Sequence, residues 1–333
     1  MDKLESKQDL ELVLKLSKVN AEIKLQLKKV IVGQEKVIEE VLISLFCKGH
    51  CLLVGVPGLA KTLLIESISK ILDLKFNRIQ FTPDLMPSDI TGTEVIQQDK
   101  AGERSFRFIK GPVFANIVLA DEINRTPPKT QSALLQAMQE NKVSAGGQTH
   151  SLPLPFFVLA TQNPIEQEGT YPLPEAQLDR FFFNIAVKYP TRDEEKDIVR
   201  QTTGAVDYEL QPVLNAEEII VMQELVRRVP VSDYVIDYAI DLVAKSRPQE
   251  VTSPDYVKEM LVWGASPRAS QALIIGAKAK AVISGRFAAS VSDVAAVAPE
   301  VLRHRLVLSF KAQADGVTTD QIVTRLLDTV KPG

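Results

Sequence analysis

Short apolar runs alternate with helical patterns between residues 52 and 187. Each run has the length of one strand, and the segments between the runs repeat apolar residues at helical spacing. Alternation of this kind is typical of an α/β fold with a buried sheet. The predicted strands are residues 52–54, 78–81, 117–120, 156–161 and 181–187.

The amino-terminal segment carries an apolar stripe at helical spacing, which predicts an amphipathic helix packed on the main domain. A second helical pattern covers residues 35–46. Between them, Val32, Gly33 and Gln34 interrupt the periodicity, which on its own indicates only a break between helices. The stripe consists of Leu12, Leu16, Val19, Ile23, Leu27 and Val30.

Two inserted segments are predicted as β-hairpins. In the first, residues 93–98 and 105–109 are strand-like, and residues 99–102 supply the turn between them. The second covers residues 143–152 and turns at a pair of glycines, Gly146 and Gly147. Both are local excursions between elements that already form the main sheet.

From residue 190 onward, helical patterns alone replace the alternation of strands and helices. Thr191 with Glu194 has the pattern of a capping box, which marks the start of the first of these helices. We therefore divide the chain into an α/β domain, residues 1–189, and an all-helical domain, residues 190–333. Further helices are predicted near residues 234–245, 267–284 and 292–303.

Composition narrows the classes of function. The formal net charge of −3 argues against a strongly basic nucleic-acid-binding surface and favours proteins and nucleotides as partners. The charged amino terminus has no apolar signal core, and no charge-free apolar run approaches a membrane span. We therefore expect a cytoplasmic protein without membrane insertion.

The two cysteines are too few for a disulfide framework. Cys47 and Cys51, together with His50, form only a weak metal-like cluster. Buried structural thiols are the better interpretation.

One strand-to-helix connection has the chemistry of a phosphate-binding loop. Gly55 and Gly58 let backbone N–H groups curl around a polyphosphate, and the next helix directs its positive end at the same anion. Lys61 would reach the β- and γ-phosphates, and the Thr62 hydroxyl would hold Mg²⁺. The alternative is a glycine-bearing turn without a ligand. The predicted loop consists of Gly55, Val56, Pro57, Gly58, Leu59, Ala60, Lys61 and Thr62.

A second predicted strand, residues 117–120, ends in two carboxylates. Asp121 can hold Mg²⁺ through water, and Glu122 can orient and deprotonate the attacking water, provided that both lie beside the phosphates. Alone, such a strand end usually means only that the strand meets solvent. Together with a phosphate-binding loop it favours catalysis.

Three further polar residues are candidates for the same site. Asn163 follows the strand at residues 156–161 and can position water with its amide, or it simply starts a turn before proline. Arg268 lies at a predicted helix start, where a cation is mildly unfavourable unless an anion is near, which favours phosphate contact. Arg180 lies at a strand edge, and composition alone does not distinguish it from a surface charge.

Together these segments resemble the MoxR family of AAA+ ATPases over nearly the whole chain. The usual phosphate loop has glycine before the lysine, whereas Ala60 is usual in this family, so this departure also favours the resemblance. The strings that carry it are GVPGLAKT at residues 55–62, LADEINR at 119–125, ATQNP at 160–164 and LPEAQLDRF at 173–181.

The resemblance implies a P-loop αβα sandwich with a parallel five-stranded sheet in the order 5-1-4-3-2, followed by a helical lid, with ATP between them. Asn163 matches the first sensor, Arg268 the lid sensor and Arg180 the arginine finger. Residues 32–34 match the segment beside adenine. The first hairpin resembles an insertion shared with magnesium-chelatase ATPase subunits.

Proteins of such families usually form hexameric rings, and MoxR proteins are thought to act like chaperones, commonly with von Willebrand factor A domain proteins in metal insertion or complex maturation. We therefore expect Mg²⁺-dependent ATP hydrolysis by a homo-oligomer that remodels a protein client. A nucleic-acid motor is the main alternative, disfavoured by the net charge and by hairpins without a basic run. A scaffold with negligible turnover is disfavoured because Glu122 and Asn163 are both present.

Overall fold

A five-stranded sheet forms the centre of the amino-terminal part of the chain. The computed structural model describes residues 7–98, 104–165, 169–204 and 208–331. In chain order the first elements are α1 Lys7–Leu27, α2 Glu35–Phe46, β1 Cys51–Val54, α3 Lys61–Ile71, β2 Phe76–Gln80, α4 Pro87–Thr91, β3 Gly92–Gln98, β4 Arg104–Lys110, β5 Ile117–Asp121, a 3₁₀ helix Ile123–Arg125, α5 Pro128–Glu140, β6 Lys142–Ala145, β7 Gln148–Ser151, β8 Phe157–Gln162, α6 Glu175–Leu178 and β9 Phe183–Ala186.

The sheet has the order β2-β5-β8-β1-β9, and each neighbouring pair is parallel. Counted along the chain within this sheet, this is the predicted order 5-1-4-3-2. In β1, Cys51 lies opposite Leu159 on one side and opposite Phe183 on the other. The loop after β1 therefore opens at the carboxyl edge of the sheet, between two other strands, where α/β folds bind ligands.

Successive residues of β1 pack on opposite faces of the sheet. Leu53 joins a core formed with α1, α2, α3 and the carboxyl-terminal helices, whereas Leu52 joins a second core that includes Leu134 and Leu135 of α5. Because both faces are covered, the strands read as continuous apolar runs. The predicted αβα sandwich is confirmed.

The carboxyl-terminal part is mainly helical. Its elements are α7 Arg192–Thr202, α8 Ala216–Arg228, α9 Asp233–Ala244, α10 Asp255–Met260, β10 Leu261–Trp263, α11 Pro267–Ile283, α12 Val291–Leu302, β11 Val307–Leu308, α13 Phe310–Ala314 and α14 Thr319–Thr329. The amino-terminal helix α1 packs on α3, as predicted, and also on α8 and α11. One core therefore includes residues from both parts, and the domain boundary at residues 189/190, in the β9–α7 connection, stays a prediction.

Two predictions of local structure are wrong. Strands β10 and β11 pair antiparallel where the sequence predicts only helices. They have three and two residues, too few to give a period-2 signal. The sequence also predicts a helix that starts at Pro127 after a Thr126 cap, whereas α5 begins at Pro128, with Pro127 at the N-cap. Two consecutive prolines both suit a helix start, so the pattern does not choose between them.

Both predicted hairpins are present, formed by β3 with β4 and by β6 with β7. The predicted turn at residues 99–102 lies outside the described residues. The Phe108 ring stacks on His150 with centroids 4.1 Å apart and meets Phe114 edge-on at 5.8 Å. Phe106, two residues earlier, is 74% exposed. The first hairpin therefore packs against the rest of the protein at Phe108 and projects into solvent at Phe106.

We expect Phe108→Ala to lower the free energy of unfolding by about 1–3 kcal/mol, because it removes ring contacts from a partly buried position. Phe106→Ala on the same strand is the matched control and should stay within about 0.5 kcal/mol of the parent. Urea unfolding measures both. Equal losses would show that both rings pack against the protein in solution.

Candidate nucleotide site

The loop between β1 and α3 has the backbone geometry of a phosphate cradle. A Cβ on Gly55 would lie 2.7 Å from the Val187 carbonyl oxygen, so no larger residue fits there. Gly58 has φ 84°, and a Cβ there would meet nothing within 4 Å. Ala60 has φ 52°, a left-handed conformation that costs alanine about 1 kcal/mol. Ala60 therefore has the left-handed backbone conformation that favours glycine, the residue usual at this position of a phosphate-binding loop.

Lys61 folds back into this loop. Its Nζ donates to the carbonyl oxygens of Gly55 at 2.5 Å and Val56 at 3.2 Å. Burial lowers the pKa of Lys61, while the carboxylates of Asp121 and Glu122 oppose that shift. The ammonium thus lies where loop carbonyls and the two acidic residues converge. Phosphate oxygens of a nucleotide can replace the carbonyl partners.

Asp121 ends β5 at the same edge of the sheet. Its Oδ1 accepts from Thr161 Oγ1 at 2.6 Å, and its Oδ2 accepts from Arg78 Nη2 at 2.5 Å and Nε at 3.1 Å. A carboxylate offers about four lone-pair sites, so Oδ1 keeps capacity for a water bound to a metal. The oxygen donors of Thr62 and Asp121 are the type that Mg²⁺ prefers, so these residues fit the predicted ion.

Glu122 is held from three directions. Its backbone has φ 58°, and its N–H donates to Thr161 Oγ1 at 2.8 Å. Its Oε2 accepts from Gln80 Nε2 and from Arg125 Nη1, both at 2.9 Å. A left-handed glutamate is uncommon, and residues in such conformations cluster at functional sites. The two hydrogen bonds from Gln80 and Arg125 fix the carboxylate at the carboxyl edge of the sheet, close enough to Lys61 to influence its pKa.

Asn163 follows β8, the strand next to β5, and is 6% exposed. Its Oδ1 accepts from the Ile165 N–H at 3.1 Å. This bond belongs to a turn, which was the alternative role for Asn163. The two functions are compatible, because this bond uses the amide oxygen and the NH₂ group can still donate to a phosphate or a water.

The segment at residues 32–34 lies against the phosphate loop. Gln34 Nε2 donates to the Leu59 carbonyl oxygen at 3.0 Å. Gly33 has φ 66°, and a Cβ there would lie 2.4 Å from Glu194 Oε1. Val32 and Gln34 also line a cavity of about 540 Å³ between α2, the β9–α7 connection and α12. The arrangement suits the segment predicted to lie beside adenine.

Arg180 and Arg268 lie at the other end of the sheet. The Phe182 N–H donates to the His50 carbonyl oxygen, so Arg180 lies next to the start of β1, whereas the phosphate loop follows its end. Four residues of strand separate these ends by roughly 13 Å. Arg268 Nη1 is 3.6 Å from Asp179 Oδ2, and both arginines line one surface depression of about 320 Å³. The fold therefore does not bring them to the phosphate loop of their own chain.

Several residues that hold the site were missed from the sequence. Thr161 links Asp121 to the Glu122 backbone, Arg78 and Gln80 on β2 hold the two carboxylates, and Arg125 holds Glu122. Their positions depend on which strands are neighbours, which periodicity does not reveal. The one available signal was polar residues at the carboxyl ends of β2 and β8.

Cys47, His50 and Cys51 are all buried in the fold. Both cysteines are buried, and burial raises the pKa of each thiol. His50 Nδ1 accepts from the Val158 N–H at 3.0 Å, and its Nε2 lies 3.1 Å from the Met138 carbonyl oxygen. Within the described ranges, no group of three metal-ligating side chains is present. In those ranges no helix is both long and apolar enough to cross a membrane.

Comparison with known proteins agrees with this geometry. The model of the ATPase family associated with various cellular activities (AAA) matches residues 50–183, and that of the AAA lid domain matches residues 255–326. Chaperone MoxR1 of Mycobacterium tuberculosis is 46% identical over 305 residues, which are 92% of this chain and 80% of that protein.

Two further similarities extend over most of the chain. Protein MoxR of Methylorubrum extorquens is 30% identical over 299 residues, which are 85% of this chain and 86% of that protein. A crystal structure of a protein assigned as an ATPase from Cytophaga hutchinsonii has a TM-score of 0.90 and 41% identity, and covers 97% of both chains.

Two buried carboxyl groups line the cavity beside residues 32–34. Glu40 of α2 and Glu300 of α12 are 7% and 1% exposed, and Lys36 Nζ lies 3.3 Å from Glu40 Oε1 and 2.9 Å from Glu300 Oε1. Burial and the nearby Glu300 raise the pKa of Glu40 to about 8, against the opposing effect of Lys36. Glu40 is therefore harder to deprotonate than an exposed glutamate.

We expect Glu40→Gln to remove a pH dependence of stability. The folded-state pKa of Glu40 is about 8 against a usual 4.5, so the folded state binds its proton more tightly. Stability of the parent should then fall as pH rises from about 4.5 to 8, by up to about 1.4 kcal/mol per pH unit. Relative to the parent, the variant should gain stability over this window in denaturant unfolding at several pH values.

Glu39→Gln on the same helix is the matched control, with the opposite sign. Burial raises the pKa of Glu39, but hydrogen bonds from Lys24 and Lys280 outweigh it, and the pKa is lowered. This group stabilises the fold above the unfolded pKa, and that contribution is lost as pH falls. The control should therefore be less stable than the parent at neutral pH and approach it in acid. Parallel curves for the two variants would contradict the assignment.

Proposed function

This chain belongs to the MoxR family of AAA ATPases, and we propose that it hydrolyses ATP to ADP and phosphate with Mg²⁺. It acts as a ring of identical subunits, a hexamer. This ring remodels a protein client in the cytoplasm. The observation that carries this proposal is the division of its polar residues between the two edges of the sheet. Lys61, Asp121 and Glu122 lie at one edge, and Arg180 lies at the other. A site with all four needs two subunits.

The chemistry follows from the residues at the carboxyl edge. Lys61 would exchange its loop carbonyls for the β- and γ-phosphate oxygens. Mg²⁺, held by Thr62 and through water by Asp121, would neutralise charge that develops on the phosphates. Glu122 would accept the proton of the attacking water after exchanging a hydrogen bond from Gln80 or Arg125 for that water.

The remaining residues orient the reactants. The Asn163 NH₂ group would hold the attacking water or the γ-phosphate, since its oxygen is already engaged. Arg180 and Arg268 of a neighbouring subunit would face the γ-phosphate from the other side. Guanidinium groups there stabilise charge that grows only in the transition state.

The surface of the first hairpin favours a protein client over a nucleic acid. Ile96 and Phe106 are directly opposite each other on β3 and β4 and are 62% and 74% exposed. An exposed apolar pair suits contact with apolar side chains. We propose a maturation or metal-insertion role for the client complex, with a separate von Willebrand factor A domain protein as partner, by analogy with the family.

Lys61→Ala and Glu122→Gln separate binding from chemistry. Lys61→Ala should weaken ATP binding, because it removes the charge that faces the transferred phosphate.

Glu122→Gln should bind ATP and lose most of the hydrolysis, because an amide does not accept the proton. Calorimetry with ATP and steady-state phosphate release give the two readouts. Unchanged affinity in the first variant, or near-parent turnover in the second, would remove that residue from the mechanism.

Arg180→Ala tests whether the site is shared. Alone, it should bind ATP almost normally and lose roughly 10³-fold in turnover, as expected for an arginine finger. Mixed with Glu122→Gln it should regain activity, because the Arg180→Ala subunit keeps Glu122 and its neighbour supplies Arg180. Mixed rings without such a gain would contradict the shared site, unless every site in the ring must work. Dilution of parent subunits with Glu122→Gln tests that exception through a steep loss of activity.

A further inference from the structure

Asp179, next to Arg180, is bound from the other side by the carboxyl-terminal part of the chain. Its Oδ1 accepts from Arg305 Nε at 2.7 Å. Its Oδ2 lies 3.4 Å from Ser266 Oγ and 3.6 Å from Arg268 Nη1. One carboxylate therefore touches three groups that lie far along the sequence.

Arg305 makes this contact rigid. Its side chain is 4% exposed, and it also donates to the carbonyl oxygens of Phe181 at 2.8 Å, Phe182 at 3.3 Å and Val301. A buried guanidinium requires a partner for its charge, and Asp179 supplies it. The Asp179 carboxylate is thereby fixed in place, with Oδ2 directed at the start of α11.

Arg268 is far more exposed than Arg305. Its side chain is 63% exposed and follows Pro267 in the first turn of α11, where the helix dipole repels a cation. The nearby Asp179 carboxylate offsets this repulsion and keeps Arg268 over the depression that Arg180 also lines. Without it, the long side chain can turn into solvent.

We propose that Asp179 is a positioning residue for ATP hydrolysis: it holds Arg268 beside Arg180, so that the two guanidinium groups are presented together to the nucleotide of the neighbouring subunit. The inference rests on the proposed function. When a γ-phosphate arrives, it takes the place of Oδ2 as the partner of Arg268, while Arg305 retains Asp179. The carboxylate itself does not touch the reacting atoms.

Asp179→Asn keeps the shape of the side chain and removes its charge. We expect ATP affinity to stay near that of the parent, since Asp179 lies at the sheet edge away from the phosphate loop. Turnover should fall about ten- to hundredfold, because a displacement of the Arg268 guanidinium by about 1 Å is enough to lower the rate by up to about 10²-fold. Glu175→Gln, on the short helix just before Asp179, is the matched control and should leave turnover unchanged.

A double-variant cycle separates positioning from a general loss of structure. In an Arg268→Ala background, adding Asp179→Asn should cost less than about twofold, because the residue that it positions is already gone. Independent losses that multiply would overturn the proposal. If Asp179→Asn does not fold, Asp179→Glu replaces it, since it keeps the charge for Arg305 and displaces the carboxylate by one methylene.

Mixed rings show in which half of the site Asp179 acts. Asp179→Asn with Glu122→Gln should regain turnover, whereas Asp179→Asn with Arg180→Ala should not, because both lesions lie on the side given to the neighbour. If Arg180→Ala with Glu122→Gln regains turnover but Asp179→Asn has parental turnover alone, this inference is wrong and the proposed function stands. If that reference pair fails to regain turnover and dilution shows independent sites, the site shared between subunits, on which the proposed function rests, is wrong.

Discussion

The position of β1 between two parallel neighbours governs the rest of this molecule. Because all five strands run in one direction, their carboxyl ends all lie at one edge of the sheet and their amino ends all lie at the other. Asp121 ends a strand, Lys61 and Asn163 follow strands, and Arg180 precedes one. No side-chain rotation moves a residue across a strand length. The strand direction therefore keeps Arg180 apart from Lys61, Asp121 and Asn163 of the same chain.

The carboxyl edge carries local strain that its partners hold in place. Gln34, Ala60 and Glu122 all have positive φ near 50–60°, a conformation that costs a residue with a side chain about 1 kcal/mol or more. Each lies where contacts from another segment fix it. Thr161 binds the Glu122 N–H, and the Gln34 side chain binds the Leu59 carbonyl oxygen beside Ala60. The well-packed cores on both sheet faces allow this cost to persist at the place where a nucleotide would bind.

The sequence predicted the parts of this structure that depend on local pattern. The apolar runs predicted the strands, the glycines predicted an irregular loop between β1 and α3, and the capping box at Thr191 is formed as expected. The sheet order came from the family resemblance, since periodicity does not say which strands are neighbours. For the same reason the hydrogen bonds of Thr161 and Arg78 to Asp121 were not foreseen. Short features such as β10 carry too few residues for a pattern to appear.

The carboxyl end of α12 connects the two edges of the sheet. Glu300 faces the cavity next to the phosphate loop, and Arg305, five residues later, is buried against the carbonyls around Arg180. Moving Arg305 away would leave the Asp179 carboxylate without the charge of Arg305 and would leave the Phe181 and Phe182 carbonyl oxygens without this donor, which is costly. A displacement of α12 at the cavity would therefore carry the segment with Arg180 along with it. The chain that follows α12 therefore links the residues around the cavity to the segment that contains Arg180.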